Sequence, residues 1–269
     1  MADPSAAMPP LAVLTRPSGR NEALAARLRA HGWEACVLPA LEILPLDCLE
    51  GLPMPEDYDM VVFVSGNAAR LYLDQLTRAR GGFSWPPAVI AATVGPASAQ
   101  GLRELPGFGA NTTVLHPPAD APSHDSEALW AVLQGLPALP ARTLLVRGTQ
   151  GRDWLGDTLA AHGVRVARHA AYDRQPAVWE AQSLAPLKRR AEAGLPATWL
   201  ITSGEGADAA LANLRAAGLQ AWWEGCGFVL THPSLARRVG RPGHDESGAA
   251  MVKICLPNDD SIFQAFVAA

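Results

Sequence analysis

The sequence predicts an α/β protein built from parallel sheets flanked by helices, arranged as two similar halves. Three observations predict it. Short apolar runs alternate with Ala- and Leu-rich stretches of helical period. Most of these runs are apolar at successive positions rather than at every second one, which is the pattern of strands covered on both faces. The chain also repeats itself: three segments recur in order at nearly constant shift.

Taken in chain order, the apolar runs are LAVLT (11–15), MVVFV (60–64), AVIAATV (88–94), RTLLVR (142–147), VRVARHAAY (164–172), TWLIT (198–202), FVLT (228–231) and MVKICL (251–256). Helical patterns follow several of them closely, among them NEALAARLRAHG, NAARLYLDQLTRA, GRDWLGDTLAAHG, ADAALANLRAAG and PSLARRVG. Several end in Gly, a common helix stop. Proline marks the breaks. Residues 38–59 form a long Pro-broken connection, and residues 116–129 a polar loop in which Ser126 is the expected helix cap. LPALP (136–140) separates a helix from the next strand, and residues 240–250 read as an exposed turn.

The repeat carries more information than any single element. A shift of 131 lays residues 14–32 over 145–163, matching Leu14, Arg16, Leu24, Leu28, His31 and Gly32 with Leu145, Arg147, Leu155, Leu159, His162 and Gly163. A shift of 138 lays VVFVSGNAARLYLDQL (61–76) over residues 198–214, which are one residue longer at their start, so that Ser65-Gly66 meets Ser203-Gly204. A third, weaker pair at 137 sets residues 93–102 near 230–239 and matches Pro96 with Pro233.

Composition narrows the function classes. Hydrophobic residues are 49%, enough for a packed core, and the net charge of −4 draws the chain neither to nucleic acid nor to an anionic membrane. The four cysteines, Cys36, Cys48, Cys226 and Cys255, form no C-x-x-C pair and have no nearby His at metal spacing, so reduced thiols and no metal site are expected. No segment reaches the roughly 20 apolar residues of a bilayer span. The N-terminal MADPSAAMPP has no basic region followed by an apolar stretch, so residues 1–9 read as a loose tail and the protein as cytoplasmic.

The matched turns lie just after strands and just before helices. In open α/β sheets that carboxyl edge is where ligands bind. Ser65-Gly66-Asn67, Gly95-Pro96 and Ser203-Gly204-Glu205-Gly206 are small enough for backbone N–H groups to approach a ligand, and helix N-termini add partial positive charge. Arg16, Arg147 and Arg152 sit at similar edges, where a guanidinium can grip a carboxylate bidentately. His31 and His162 precede helix-ending glycines and are expected to complement helix dipoles. His232, in the turn THP, is expected to cap. The spacing Gly204-x-Gly206-x-x-Ala209 imitates a dinucleotide fingerprint, with Glu224 about 20 positions on. Only about 60 residues follow Gly206, too few for a complete dinucleotide domain. Its twin turn Ser65-Gly66-Asn67 lacks the fingerprint, so the nucleotide reading is set aside. No P-loop, nucleophile elbow or H-E-x-x-H is present.

At these motifs the sequence resembles the uroporphyrinogen-III synthase family. The resemblance is carried by LTRP (14–17), VSGNAA (64–69), VGPASA (94–99), SEAL (126–129), RGTQGRDWL (147–155), AAYDR (170–174), ITSGEGADAAL (201–211) and THPSLA (231–236). It implies two similar α/β domains, each a parallel sheet flanked by helices, joined by a two-stranded linker with a cleft between them. The first domain would be discontinuous, 10–38 with 176–269. Residues 44–169 would form the second, and 39–43 and 170–175 the linkers.

The reaction implied by the resemblance is that of a cyclising hydro-lyase. Linear hydroxymethylbilane loses water and closes to uroporphyrinogen III, with ring D inverted through a spiro intermediate. No cofactor is required. The substrate carries eight carboxylates, and the enzyme's task is mainly orientation. By position, Tyr172 matches the family's cleft tyrosine, whose hydroxyl would assist departure of the leaving hydroxyl. Ser65, Gly66, Asn67, Ser98, Ser203, Gly204, Glu205, Gly206 and Thr231 match segments that line the cleft. Arg16, Arg147 and Arg152 are added as carboxylate partners on charge alone. The resemblance further implies a monomer whose one macromolecular contact is transient, with hydroxymethylbilane synthase. The rival reading is a non-catalytic, two-lobed cytosolic binding protein for a small anion, which would show ligand-induced closure without turnover.

Overall fold

The computed structural model describes residues 8–47, 50–105, 107–109, 111–240 and 251–268. In chain order the first elements are β1 (Leu11–Leu14), α1 (Glu22–Ala30), β2 (Glu34–Val37), β3 (Leu41–Pro45) and β4 (Met60–Phe63). Then come α2 (Gly66–Arg80), β5 (Ile90–Thr93), α3 (Pro96–Arg103), β6 (Val114–Leu115), α4 (Ser126–Gln134) and β7 (Arg142–Gly148). Next are α5 (Trp154–Ala161), β8 (Arg165–Pro176), α6 (Ala181–Glu192), β9 (Thr198–Ile201) and α7 (Gly204–Ala216). The chain closes with α8 (Gln220–Glu224), β10 (Gly227–Leu230), α9 (Leu235–Arg238), β11 (Val252–Ile254) and α10 (Asp259–Val267). It divides into two compact units, one of residues 1–42 with 175–269 and the other of residues 43–174.

Unit 1 holds a five-stranded sheet in the order β11-β10-β9-β1-β2, every adjacent pair parallel. Its central strands are short and apolar because helices cover both faces. Leu11, Val13, Trp199, Ile201, Phe228 and Leu230 point to one face, where they pack with residues of α6, α7, α8 and α9. Ala12, Leu14, Leu200 and Val229 point to the other, against α1 and α10. Each large side chain so buried contributes about 1.5–3 kcal/mol.

Unit 2 is built alike. Its sheet runs β3-β8-β7-β4-β5-β6. Val61, Phe63, Leu144 and Val146 face α2 and α3. Met60, Val62 and Leu145 face α4 and α5.

The two sheets are register equivalents. In unit 1, Leu14 lies opposite Leu200. In unit 2, Leu145 lies opposite Val62. The sequence shifts of 131 and 138 convert one pair into the other. The same shift of 131 turns the pair Leu11 and Glu34 into Arg142 and Arg165. Shifts of 138 and 137 turn Met60 and Ile90 into Thr198 and Gly227. Five strands of unit 2 thus repeat the spatial order of unit 1, but the chain enters them at a different strand. Numbered in their own chain order, the strands of unit 1 read 2-1-3-4-5, the doubly wound order whose switch point falls between the first and third strands. In unit 2 the equivalent point lies between β7 and β4.

Several expectations shift in detail. The helix after the polar loop is capped by Asp125, whose side chain accepts from Ala128 N at 2.9 Å, and Ser126 is its first residue. A carboxylate oxygen satisfies the orphan N–H here as well as a serine hydroxyl would. The run at 164–172 continues to Pro176, so residues 170–175 belong to a twelve-residue strand. The strands β2, β3 and β6 are also present, although Glu, Pro and neighbouring His residues break their apolar character. Within the expected tail, Pro9 accepts from the buried Arg190 through its carbonyl at 2.6 Å. Residues 1–7, Cys48 and all but Gly240 of the turn expected at 240–250 lie outside the described residues.

Candidate functional site

Each unit gathers its candidate residues at the carboxyl edge of its sheet. In unit 2, β4 ends into Ser65, which caps α2. Its backbone is extended, and its hydroxyl accepts from Ala68 N at 3.1 Å. Gly66 and Asn67 form the first turn of that helix. The next edge turn places Gly95 at the cap of α3 with Pro96 at the first helical position, and Ser98 follows in that first turn, half-buried.

Tyr172 reaches this edge from β8. The β7–β8 register slips between Arg147 and Gly148, so that Gly148 lies opposite Tyr172 and Ala171 is the extra residue. Such a bulge re-aims a side chain. Here it brings the Tyr172 hydroxyl to 3.1 Å from Ser65 Oγ, with the tyrosine only 5% exposed. Gly148 makes room for the ring: a Cβ there would sit 2.9 Å from Tyr172 Cε2. The Thr149 amide donates to the Tyr172 carbonyl at 2.9 Å, and the Thr149 hydroxyl bonds Asp173, fixing the strand end from both sides. Because Ser65 Oγ already accepts from Ala68, the two hydroxyls share one proton between them and leave a second to offer a ligand.

Unit 1 repeats the cap. Ser203 is extended and accepts from Gly206 N at 3.0 Å, and Gly204, Glu205 and Gly206 form the first turn of α7. A Cβ on Gly206 would lie 3.0 Å from Ser203 Oγ, so the turn is tight as well as small. Thr231 follows β10, with its amide donating to the Ile201 carbonyl at 3.3 Å. The expected cap His232 lies in the turn that leads into α9, where its Nδ1 accepts from Ser234 N at 3.1 Å, while the N-cap residue of that helix is Ser234. His31 and His162 occupy the C-cap positions of α1 and α5.

The arginines are placed differently from the free carboxylate partners the sequence suggests. Arg16, 8% exposed, donates to Asp259 at 2.6 Å and to Asn21 at 3.4 Å, while Asn21 donates back to the Arg16 carbonyl at 2.7 Å. Arg147 lies 3.0 Å from Asp153, an ion pair without hydrogen-bond alignment, and donates to the Gly148 and Gly151 carbonyls at 3.2 and 2.6 Å. It therefore shapes the loop after β7. Arg152, mostly exposed, forks onto Glu127 at 2.7 and 2.9 Å. Their carboxylate partners lie 6 to 243 positions away in sequence, which hides the pairing from a linear reading.

Sequence reasoning also missed Gly148, His124 and Arg238. His124 Cβ lies 3.3 Å from where a Gly95 Cβ would be, and Arg238 Nε 3.4 Å from that of Gly204. Gly148 lies inside the motif RGTQGRDWL and beside Arg147, and those were the signals available for it. Burial raises the thiols of Cys36 and Cys255 to about 11, which leaves them protonated at neutral pH. Among the described residues no group of three or more His, Cys, Asp or Glu is placed to hold a metal ion, and no helix is long and apolar enough to cross a membrane.

Known proteins resemble this chain in sequence and fold. The uroporphyrinogen-III synthase of Salmonella typhimurium strain LT2 is 34% identical over 170 residues, 60% of this chain and 64% of that one. The namesake of Escherichia coli K12 is 30% identical over the same shares. That of Proteus mirabilis is 30% identical over 169 residues, 60% of this chain and 79% of its own. The match thus spans 64% of the length of the Salmonella and Escherichia proteins. Among solved structures, a mutant uroporphyrinogen III synthase from the extremely thermophilic bacterium Thermus thermophilus gives a TM-score of 0.56 at 15% identity, covering 96% of this chain and 97% of that one. A uroporphyrinogen-III synthetase from Helicobacter pylori 26695 gives 0.56 at 12%, covering 96% and 99%. At such identities the likeness is one of fold. The family model described as uroporphyrinogen-III synthase HemD matches residues 22–247, and the chain belongs to that family.

Proposed function

We propose that the chain is a uroporphyrinogen-III synthase, a lyase that closes hydroxymethylbilane to uroporphyrinogen III and releases one water. The observation that carries this reading is the family match together with the Ser65–Tyr172 hydroxyl pair at a carboxyl edge. In the first step the C–O bond of the hydroxymethyl group breaks. Tyr172, partnered by Ser65, supplies the proton with which the hydroxyl leaves as water. The resulting azafulvene cation is attacked by the substituted carbon of ring D, giving a spiro intermediate. Breaking the older bond to that carbon regenerates an azafulvene. Ring D recloses in the opposite sense, and loss of its ring proton balances the one donated at the start.

Holding eight carboxylates falls to both edges. The N–H groups at the starts of α2 and α7, the hydroxyls of Ser65, Ser98, Ser203 and Thr231, and the turns Gly66-Asn67 and Gly204-Glu205-Gly206 are read as contacts. Arg16, Arg147 and Arg152 are read as shaping those edges through their own acids. The division of the chain near residues 42 and 175 supports domains of 10–38 with 176–269 and of 44–169, with 39–43 and 170–175 as connections. The protein is read as a cytoplasmic monomer that needs no cofactor and receives its unstable substrate from hydroxymethylbilane synthase.

The test is product analysis. Fresh hydroxymethylbilane is supplied, the products are oxidised, and the isomers are separated. Isomer III in excess is expected. Isomer I alone, as forms without protein, would overturn the proposal.

A further inference from the structure

Unit 2 also gathers charge at the amino end of its sheet. There a shallow hollow of about 260 Å3 is lined by Tyr58, Arg142, Arg165, Val166 and Ala167. Arg142 and Arg165 begin β7 and β8 and are direct register partners. Side chains of such a pair leave the same face, and like charges so placed repel. Asp59 offsets Arg142, accepting from its Nη2 at 3.0 Å and from its backbone N at 2.9 Å. The guanidinium of Arg165 is exposed and makes no ion pair or hydrogen bond with a described residue. Asp57 acts on Arg142 from a distance but does not line the hollow.

The arginine pair is not part of the repeated scaffold. At the register-equivalent position of unit 1, Leu11 lies opposite Glu34. An arginine pair that occurs in one unit only, with one guanidinium unpartnered among the described residues, and that overhangs a hollow calls for an anion. Ala167, which shares the face of the two arginines, and the ring of Tyr58 are apolar, which suits an organic acid better than an inorganic one. The volume falls below the 300–1,000 Å3 typical of drug-sized ligands, so the occupant is about one ring or a short chain.

We propose that this hollow binds a small organic carboxylate. Its two oxygens face the Arg165 fork, Arg142 and the Tyr58 hydroxyl, and its apolar body rests on Ala167 and the Tyr58 ring. The site lies at the opposite end of the strands from Ser65 and Tyr172, so it stands or falls separately from the synthase reading.

The test uses the full chain, titrated calorimetrically with benzoate and with inorganic phosphate at constant ionic strength, and the variants Arg165→Gln and Tyr58→Phe. Benzoate is expected to bind saturably, in the millimolar range or tighter, and more tightly than phosphate. Arg165→Gln should weaken it about tenfold or more, and Tyr58→Phe by less. Without ligand, Arg165→Gln should melt at or above the temperature of the parent, since a repulsion has been removed. Three outcomes overturn the proposal. These are benzoate affinity unchanged by Arg165→Gln, phosphate binding as tightly as benzoate, and a lower melting temperature for unliganded Arg165→Gln, which would assign that guanidinium an internal structural role.

Discussion

The Tyr172 hydroxyl stands 3.1 Å from Ser65 Oγ, and the same serine oxygen holds the first turn of α2 through Ala68 N. One atom therefore joins the fold to the candidate chemistry. Replacing either residue should separate the two roles. Tyr172→Phe keeps the ring and removes the proton donor, so the rate of isomer III formation is expected to fall about 10²-fold or more with little change in melting temperature. Ser65→Ala should slow the reaction and also cost about 1 kcal/mol of stability through the lost cap. Single-turnover rates and thermal melts of both variants check this.

Gly148→Ala tests the space behind the tyrosine. Its Cβ would press on the ring at 2.9 Å, and the bulge leaves the strand no easy way to yield. A destabilisation of about 1–3 kcal/mol is expected, with a rate approaching that of Tyr172→Phe. Denaturant titration and the isomer assay give both numbers.

Asp259→Asn keeps the shape of the carboxylate and removes its charge. The Arg16 side chain is 10% exposed and that of Asp259 is 40% exposed, so the guanidinium loses its acid while remaining largely out of water. A loss of about 1.5 kcal/mol is expected, near the lower bound for a charged hydrogen bond because Asp259 is partly solvated.

His169 gives unit 2 a pH dependence. Its ring is 6% exposed, its Nε2 lies 2.7 Å from Gln75 Oε1, and Gln75 Nε2 donates to the Leu46 carbonyl at 2.6 Å. The glutamine oxygen is therefore the acceptor, and His169 carries its proton on Nε2. Burial lowers its pKa below 6.5. The unfolded chain then binds the proton first as pH falls. The stabilisation is complete above pH 6.5 and is lost as pH drops from there through the lower folded value. In His169→Gln the slope of melting temperature against pH just below 6.5 should be shallower than in the parent.

Much of this architecture was legible because strands covered on both faces leave an unbroken apolar trace, and because each repeated turn needs small residues. Ser65-Gly66 and Ser203-Gly204 could be aligned by eye, and both prove to be helix caps with the same acceptor geometry. What could not be read were pairings made only in three dimensions. The charge of Arg16 is plain in the sequence, but its pairing with Asp259, 243 positions later, is not. The slipped register that turns Tyr172 toward Ser65 depends on one extra residue in β8, and nothing in AAYDR announces it. Short strands such as Val114–Leu115 carry too few residues for any period to register.

The register equivalence of the two sheets has a consequence for synthesis on the ribosome. In unit 2 the central pair joins Val62 to Leu145, and every strand of its sheet has been made by residue 176. In unit 1 the central pair joins Leu14 to Leu200, so β1 must wait for a partner that emerges after all of unit 2. At about 5–20 residues per second, the wait from the end of β2 to β9 is on the order of ten seconds. During that interval β1 has only β2 beside it and α1 no complete sheet to cover, so unit 2 is expected to fold first. Nascent chains arrested near residue 215, with roughly 30 residues still in the exit tunnel, should therefore resist protease across 43–174 and be cut within 11–37. Equal protection of both segments would refute this order.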